Sequence, residues 1–106
     1  MDLKGKKVAV TGAGGFIGSN LLKSLAERGA KITGFDLPGV KPVEGKRIHW
    51  VESDLANEAE VRSSLGQAEV VFHLAFPVSD WESEDKFTAA LTLSDLICRI
   101  AEEKAQ

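Results

Sequence analysis

Lys7-Val-Ala-Val-Thr-Gly-Ala-Gly-Gly-Phe-Ile-Gly18 is the stretch whose reading decides the fold. A short β-branched run, Val8 to Val10, leads straight into a glycine cluster. Beyond it Ile17, Leu21, Leu22, Leu25 and Ala26 recur at helical spacing. The order is therefore strand, glycine turn, helix. In that context a glycine fingerprint describes a turn that brings backbone amides up to a bound anion.

The spacing of the glycines narrows the reading. A phosphate loop of the Gly-x-x-x-x-Gly-Lys-Ser/Thr type is excluded, because Ile17 stands five residues after Gly12 and Ser19 five after Gly14. A Gly-x-Gly-x-x-Gly frame on Gly12 and Gly14 requires glycine or alanine at 17 and meets Ile17. The frame that fits is Gly-x-x-Gly-x-x-Gly on Gly12, Gly15 and Gly18. Gly12 then allows the tight turn off the strand, Gly15 the close approach of a pyrophosphate, and Gly18 the packing of helix on strand. The positive end of the helix dipole, with Phe16 and Ile17 in its first turn, faces the anion.

The whole chain sets bounds on this reading. Its 106 residues suit one small domain with its own core, taken as 1–106, and 43% hydrophobic with 27% charged residues is ordinary globular composition. A net charge of −3 without a basic block argues against nucleic acid as partner. No apolar run reaches membrane-spanning length and no signal sequence opens the chain, so no membrane partner and a cytoplasmic setting are expected. Cys98 is the one cysteine; it reads as a core or interface thiol in an apolar helical pattern. His49 and His73 lack companions at ligand spacing, so no metal site is expected.

Further along, the first helix should end at Arg28 with Gly29 as its stop. A second strand is expected at about 31–35, ending at Asp36, and a loop punctuated by Pro38, Gly39, Pro42 and Gly45 follows. A third strand is expected at about 47–51. Asn57 and Glu60 form a capping-box pattern for a short helix carrying Val61 and Leu65, closed by Gly66. Residues 69–74 read as a buried parallel strand. A last helix carries Phe87, Ala90, Leu91, Ile97, Cys98 and Ala101, with Leu93, Leu96 and Ile100 broadening its apolar face. Strands alternating with helices imply an α/β fold with a parallel sheet, right-handed crossovers and the order 3-2-1-4, part of a doubly wound architecture. Ligand sites in such sheets lie at the carboxyl ends of the strands. Gly12–Ile17, Asp36, Asp54, and Ala75 with Phe76 all fall there.

Asp36 stands 24 residues after Gly12, near the ~20 expected of the acid that binds the adenosine ribose of a dinucleotide. A carboxylate there accepts both ribose hydroxyls and repels a 2′-phosphate, which favours NAD over NADP. Lys41, Lys46 and Arg47 stand nearby in sequence as positive charges. As an alternative, Asp36 simply opens the turn before Pro38. Trp50 and Trp81 read as packing residues. His73 reads as a packed strand-end residue with no neighbour in sequence that orients it as a base.

Thr11-Gly-Ala-Gly-Gly-Phe-Ile-Gly18, then Asp36, Asp54-Leu55 and His73-Leu-Ala75, resemble the extended short-chain dehydrogenase/reductase family, which includes NAD-dependent epimerases and dehydratases. The resemblance runs from about Gly5 to Phe87. It implies a Rossmann-like fold and an NAD site that includes Gly12, Gly14, Gly15, Phe16, Ile17, Gly18, Asp36 and Leu37. It also implies that Asp54 contacts the adenine amino group and Leu55 packs on the adenine ring. Leu74, Ala75 and Phe76 would line the path toward the nicotinamide. Phe76 departs from the family, which usually has a small residue there.

The family's proton donor is the tyrosine of a Tyr-x-x-x-Lys pair, and this chain contains no tyrosine. Lys104 has Ile100 four residues before it. No catalytic residue is therefore assigned. Three readings remain open: an NAD(H)-binding module resembling the cofactor half of the family, an enzyme active only with a missing C-terminal half or a partner, and a minimal scaffold that binds cofactor weakly. An apolar fourth strand left at a sheet edge further suggests association, as a homodimer or with that other half.

Overall fold

In the computed structural model the chain is described at residues 2–53, 58–74 and 95–103. The elements are β1 (Lys7–Thr11), α1 (Phe16–Glu27), β2 (Lys31–Asp36), β3 (Ile48–Glu52), α2 (Glu58–Leu65) and β4 (Val70–His73). Residues 95–103 form a further helical stretch. The four strands make one parallel sheet in the order β3-β2-β1-β4, as the alternation of the sequence requires. The register places Val10 beside Gly34 on β2 and Phe72 on β4, with Trp50 beside Gly34 on β3. Boundaries move by a residue or two. β3 begins at Ile48, one residue later than expected, with the Arg47 carbonyl accepting the Ile32 N–H at the sheet's rim.

The end of α1 is set by one glycine. Gly29 takes φ 85°, in the left-handed region that favours glycine. Its N–H donates to Ala26 O at 3.0 Å and the Ala30 N–H to Leu25 O at 3.3 Å, a Schellman closure that reverses the chain into β2.

Two compact units divide the chain: Met1–Asp54 with Gln67–Ala75, and Leu55–Gly66 with Phe76–Gln106. In the first, Val8, Val10, Ala13, Leu22, Leu25, Ala30 and Ile32 form a buried cluster, with Ile48, Trp50, Val70 and Phe72 packed against it. Val8 to Thr11 are buried at every position, the pattern of a central parallel strand covered on both faces. In the second unit, Val61 and Leu65 are buried, as are Leu96 and Ile100. Arg62 joins α2 to the 95–103 stretch. Its guanidinium takes Glu58 at 2.8 Å and forks onto Glu103 at 2.6 and 3.1 Å, which holds the Glu103 carboxyl below its ordinary range.

Cys98 is exposed, which overturns the core alternative of its sequence reading and leaves the interface alternative untested. The stretch 95–103 buries Leu96 and Ile100, four residues apart on one stripe, and Cys98 falls on the other side of the helix. Asn57, Trp81, Phe87 and Lys104 lie outside the described residues.

Candidate functional site

The carboxyl ends of β1, β2 and β4 share one edge of the parallel sheet, and the glycine turn crosses it. Gly12 carries φ 69°, which turns the chain sharply as it leaves β1. The Gly15 N–H donates to Gly12 O at 3.2 Å and closes the turn. Gly18 is buried in the first turns of α1, where a Cβ would run into the Gly12 carbonyl oxygen; only glycine lets helix and turn meet that closely. Gly15 is different. Its φ of −76° and ψ of 173° suit any residue, and among the described residues a Cβ would meet only Gly12 O, at an ordinary 3.5 Å.

Gly15 is also the N-cap of α1 and supplies no side-chain cap. The first turn contains no acidic residue. Neither a cap nor a carboxylate on the helix itself therefore compensates the positive end of the dipole. Phe16 and Ile17, which open the helix, are 86% and 68% exposed.

Asp36 ends β2 and reaches back to the turn. Its Oδ2 accepts the Gly14 N–H at 2.8 Å, and its Oδ1 accepts the Leu37 N–H at 2.8 Å. A carboxylate offers about four lone-pair positions, and among the described residues these two bonds take up two of them. A second layer surrounds Gly14. A Cβ on Gly14 would run into Val40 Cγ1, and would lie 3.0 Å from Asp36 Oδ2 and 3.5 Å from Trp50 Cη2. Trp50 packs against the core, yet its indole Nε1 is buried with no hydrogen-bond partner among the described residues. Arg47, taken from the sequence as a charge near Asp36, lies at the other end of β2, its Nη1 beside Gly29.

The third group joins β1 to β4. Thr11 is fully buried, and its Oγ1 lies 2.7 Å from His73 Nδ1 while accepting the Leu74 N–H at 3.0 Å. The direction of that bond follows the tautomer: a neutral imidazole either accepts the threonine O–H at Nδ1 or donates its Nδ1–H to Oγ1. Burial lowers the His73 pKa and so favours that neutral form. The sequence reading is only that no neighbour in sequence orients His73; the structure supplies a distant partner, Thr11. The partner was invisible in sequence because it lies 62 residues away and meets the histidine only through the β1–β4 register.

Of the residues singled out from sequence, Gly12, Gly14, Gly15, Phe16, Ile17, Gly18, Asp36, Leu37 and Leu74 lie at this edge, and Gly14, Asp36 and Leu37 are hydrogen-bonded together. Leu74 is 42% exposed just beyond β4. Asp54, Leu55, Ala75 and Phe76 lie outside the described residues. Sequence reasoning missed Thr11 and Val40. A hydroxyl ending the strand before the glycines was a usable signal for the first; for the second there was only the Pro-Gly turn preceding it. Among the described residues no group of histidine, cysteine and carboxylate side chains is placed to hold a metal, and no helix is long and apolar enough to cross a membrane.

Comparison with known proteins agrees with this geometry. Residues 8–99 match the model of the NAD dependent epimerase/dehydratase family. A 2-alkyl-3-oxoalkanoate reductase of Shewanella oneidensis is 33% identical over 78 residues, 74% of this chain and 20% of that protein. Cinnamoyl-CoA reductase 1 of Petunia hybrida is 36% identical over 88 residues, 74% of this chain and 26% of the relative. The solved structure of the Bordetella bronchiseptica enzyme WbmH in complex with NAD+ superposes with a TM-score of 0.74 at 27% identity, over 93% of this chain and 36% of that one. The chain thus spans about a fifth to a quarter of these curated relatives. It belongs to the NAD-dependent epimerase/dehydratase family.

Proposed function

We propose that this chain is an NAD(H)-binding domain, the cofactor half of an oxidoreductase or epimerase of its family. The observation that carries the proposal is Gly15. Gly12 is explained by its backbone angle and Gly18 by the carbonyl it packs on, so a bare scaffold would need both. Gly15 has neither reason, and its missing side chain leaves the uncapped start of α1 open to an anion. In this reading the amides of Phe16 and Ile17 face the pyrophosphate. Asp36 keeps its place through Gly14 and Leu37 and offers its remaining lone-pair positions to the adenosine ribose hydroxyls. Asp54 and Leu55 take the adenine, and Leu74, Ala75 and Phe76 border the path to the nicotinamide, as the family resemblance implies. When bound, NAD supplies the ring that accepts or returns a hydride. Calorimetric titration with NAD and NADH tests the proposal. Saturable binding supports it, and its absence in the folded protein leaves only the scaffold reading.

Catalysis is a separate matter. Hydride transfer at a carbinol needs a base within hydrogen-bond reach of the hydroxyl proton. No tyrosine is present to serve, and His73 is committed to Thr11 through Nδ1. We infer that residues 1–106 bind cofactor without turnover, and that activity belongs to an assembly with further chain or a partner that brings the base. The coverage of 20% and 26% of the two reductases supports this division. Turnover of a carbonyl or sugar-nucleotide substrate by the isolated chain, abolished by His73→Ala, would overturn it and make His73 the base.

A further inference from the structure

The amino ends of the strands bring together cations that are scattered in the sequence. The register sets Lys7 of β1 beside Lys31 of β2. Ile32 pairs with Ile48, so Arg47, one residue earlier, stands beside Lys31 on its other side. Val8 pairs with Val70, so Glu69 stands beside Lys7. The backbone bonds agree. The Lys31 N–H donates to Lys6 O at 2.8 Å, the Ile32 N–H to Arg47 O at 2.9 Å and the Glu69 N–H to Lys7 O at 2.8 Å. Residues in register on neighbouring strands project to the same face, about 4.8 Å apart. Arg47, Lys31 and Lys7 therefore make a row of cations about 10 Å long. Lys4, Lys6 and Lys46 stand in the segments that lead into it, and all six side chains are exposed. Two carboxylates at this rim accept backbone groups: Asp2 Oδ1 takes the Lys4 N–H and Glu69 Oε2 the Lys7 N–H, each at 3.0 Å. Among the described residues no carboxylate forms an ion pair with any of the six cations.

Folding accounts for part of this arrangement. The carbonyl end of α1 reaches the same rim and attracts positive charge. Arg47 Nη1 and Lys4 Cγ lie 3.1 and 3.2 Å from the point where a side chain on Gly29 would begin, just past that end. Lys7 beside Lys31 has no such reason, because like charges side by side across a strand pair cost stability. Nor is the row the drift of a basic protein, since the chain as a whole carries −3. The exposed large hydrophobics among the described residues, Phe16, Ile17 and Leu74, lie at the carboxyl edge and not at this rim.

We propose that the amino-terminal rim of the sheet is a docking surface for an acidic polypeptide segment, one with carboxylates at alternate positions of an extended stretch. Such carboxylates project to one side about 6.6 Å apart, so two of them fall within the row, and flexible lysine stems take up the difference in spacing. The Arg47 fork suits one carboxylate by two parallel bonds. A short segment meets only the rim. A membrane or a nucleic acid is larger than the rim and faces the negative charge of the rest of the chain as well. Among the described residues the rim also offers no exposed large hydrophobic side chain, aromatic ones included, to enter a bilayer or stack on a base. The proposal is independent of the cofactor reading, because the glycine turn lies at the opposite ends of the strands.

The test is a fluorescence-anisotropy titration of the whole chain against a fluorescein-labelled peptide of alternating glutamate and serine, with circular dichroism to verify folding. Saturable binding is expected, and it should weaken as added salt shortens the Debye length from about 30 Å to about 10 Å. Lys31→Glu, at the centre of the row, should lower the affinity by about tenfold. Lys41→Glu makes the same change in net charge beyond β2, next to Val40 at the carboxyl edge, and should change it by less than about twofold. If Lys31→Glu does not fold, Lys31→Gln decides, with a smaller loss in the same direction. Absence of peptide binding, or equal losses in the Lys31 and Lys41 variants, overturns the assignment. Phosphatidylserine vesicles and a single-stranded oligonucleotide are titrated in parallel. Tighter binding of either one, lost in Lys31→Glu, overturns the acidic-polypeptide reading in favour of that partner.

Discussion

Replacing Asp36 with asparagine is the sharpest probe of the site, because the structure makes the side chain serve two donors at once. Oδ1 accepts the Leu37 N–H and Oδ2 the Gly14 N–H, each at 2.8 Å. An amide of the same shape has one oxygen and one NH₂, so whichever way it is turned, one backbone N–H faces another donor. Leaving a buried donor unpaired costs about 1–3 kcal/mol, and this half-buried corner belongs at the lower end, about 1 kcal/mol. In a domain of this size that lowers Tm by about 4–8 °C. Binding suffers more. Loss of the charge removes charge-assisted hydrogen bonds to the ribose worth about 1.5–3 kcal/mol, a drop of about ten- to a hundredfold in NAD affinity. NADP, already repelled by the carboxylate, should lose less. Asp36→Ala removes the acceptor of both N–H groups and should melt at least as low as Asp36→Asn while binding NAD as poorly. Differential scanning calorimetry gives the first quantity and titration calorimetry the second. Unchanged NAD affinity in folded Asp36→Asn and Asp36→Ala would refute the ribose assignment, and an unchanged Tm in Asp36→Asn would refute the two-donor geometry.

The glycines give a paired prediction. Gly15→Val should fold, because its backbone angles and the space at Cβ permit it, yet lose NAD binding in a titration; Gly18→Ala should instead lose about 1–3 kcal/mol of stability in a denaturant melt, because its methyl meets the Gly12 carbonyl. An unchanged dissociation constant in folded Gly15→Val would place the dinucleotide elsewhere. His73 gives a pH prediction. Burial lowers its pKa from the ordinary 6.5, so the unfolded chain binds that proton more tightly; its contribution to stability is complete above about pH 6.5 and is lost as pH falls below that value toward the folded pKa. Tm should fall between pH 7.5 and 5.5, and His73→Gln should remove part of that fall; an identical slope in the variant would show that His73 does not titrate with unfolding.

Much of the fold was legible in the chain because its signals are local. Val8 to Val10, the glycines and the stripe from Ile17 to Ala26 follow one another within twenty residues, and each limits the next. Four strands separated by helical or loop segments leave few arrangements once crossovers are right-handed, and 3-2-1-4 is the one observed. What could not be read was set by register. Thr11 and His73 pair because both end strands that lie side by side. Val40 reaches Gly14 because a turn in one loop meets a turn in another. The core alternative for Cys98 failed for a related reason: the apolar pattern around it supports more than one stripe, and packing selects Leu96 and Ile100. Periodicity names the helix, while the partner decides which face is covered.

The glycine fingerprint, usually treated as a single sign of dinucleotide binding, separates here into four demands. Gly12 answers to a backbone angle and Gly18 to a carbonyl that a side chain would strike. Gly14 answers to the corner it shares with Asp36, where its N–H holds the carboxylate and Val40 fills the space beside it. These three would be needed by the folded, ligand-free chain. Gly15 is the position at which the folded chain makes no such demand, and it stands at the uncapped start of α1. The distinction matters for any short relative of this fold. A scaffold that had lost its ligand would keep glycine at 12, 14 and 18 for stability and would tolerate a side chain at 15. A glycine there, together with a carboxylate that among the described residues accepts one N–H at each oxygen, is an arrangement that folding alone does not require. It is the physical ground for preferring a cofactor-binding domain to an inert scaffold.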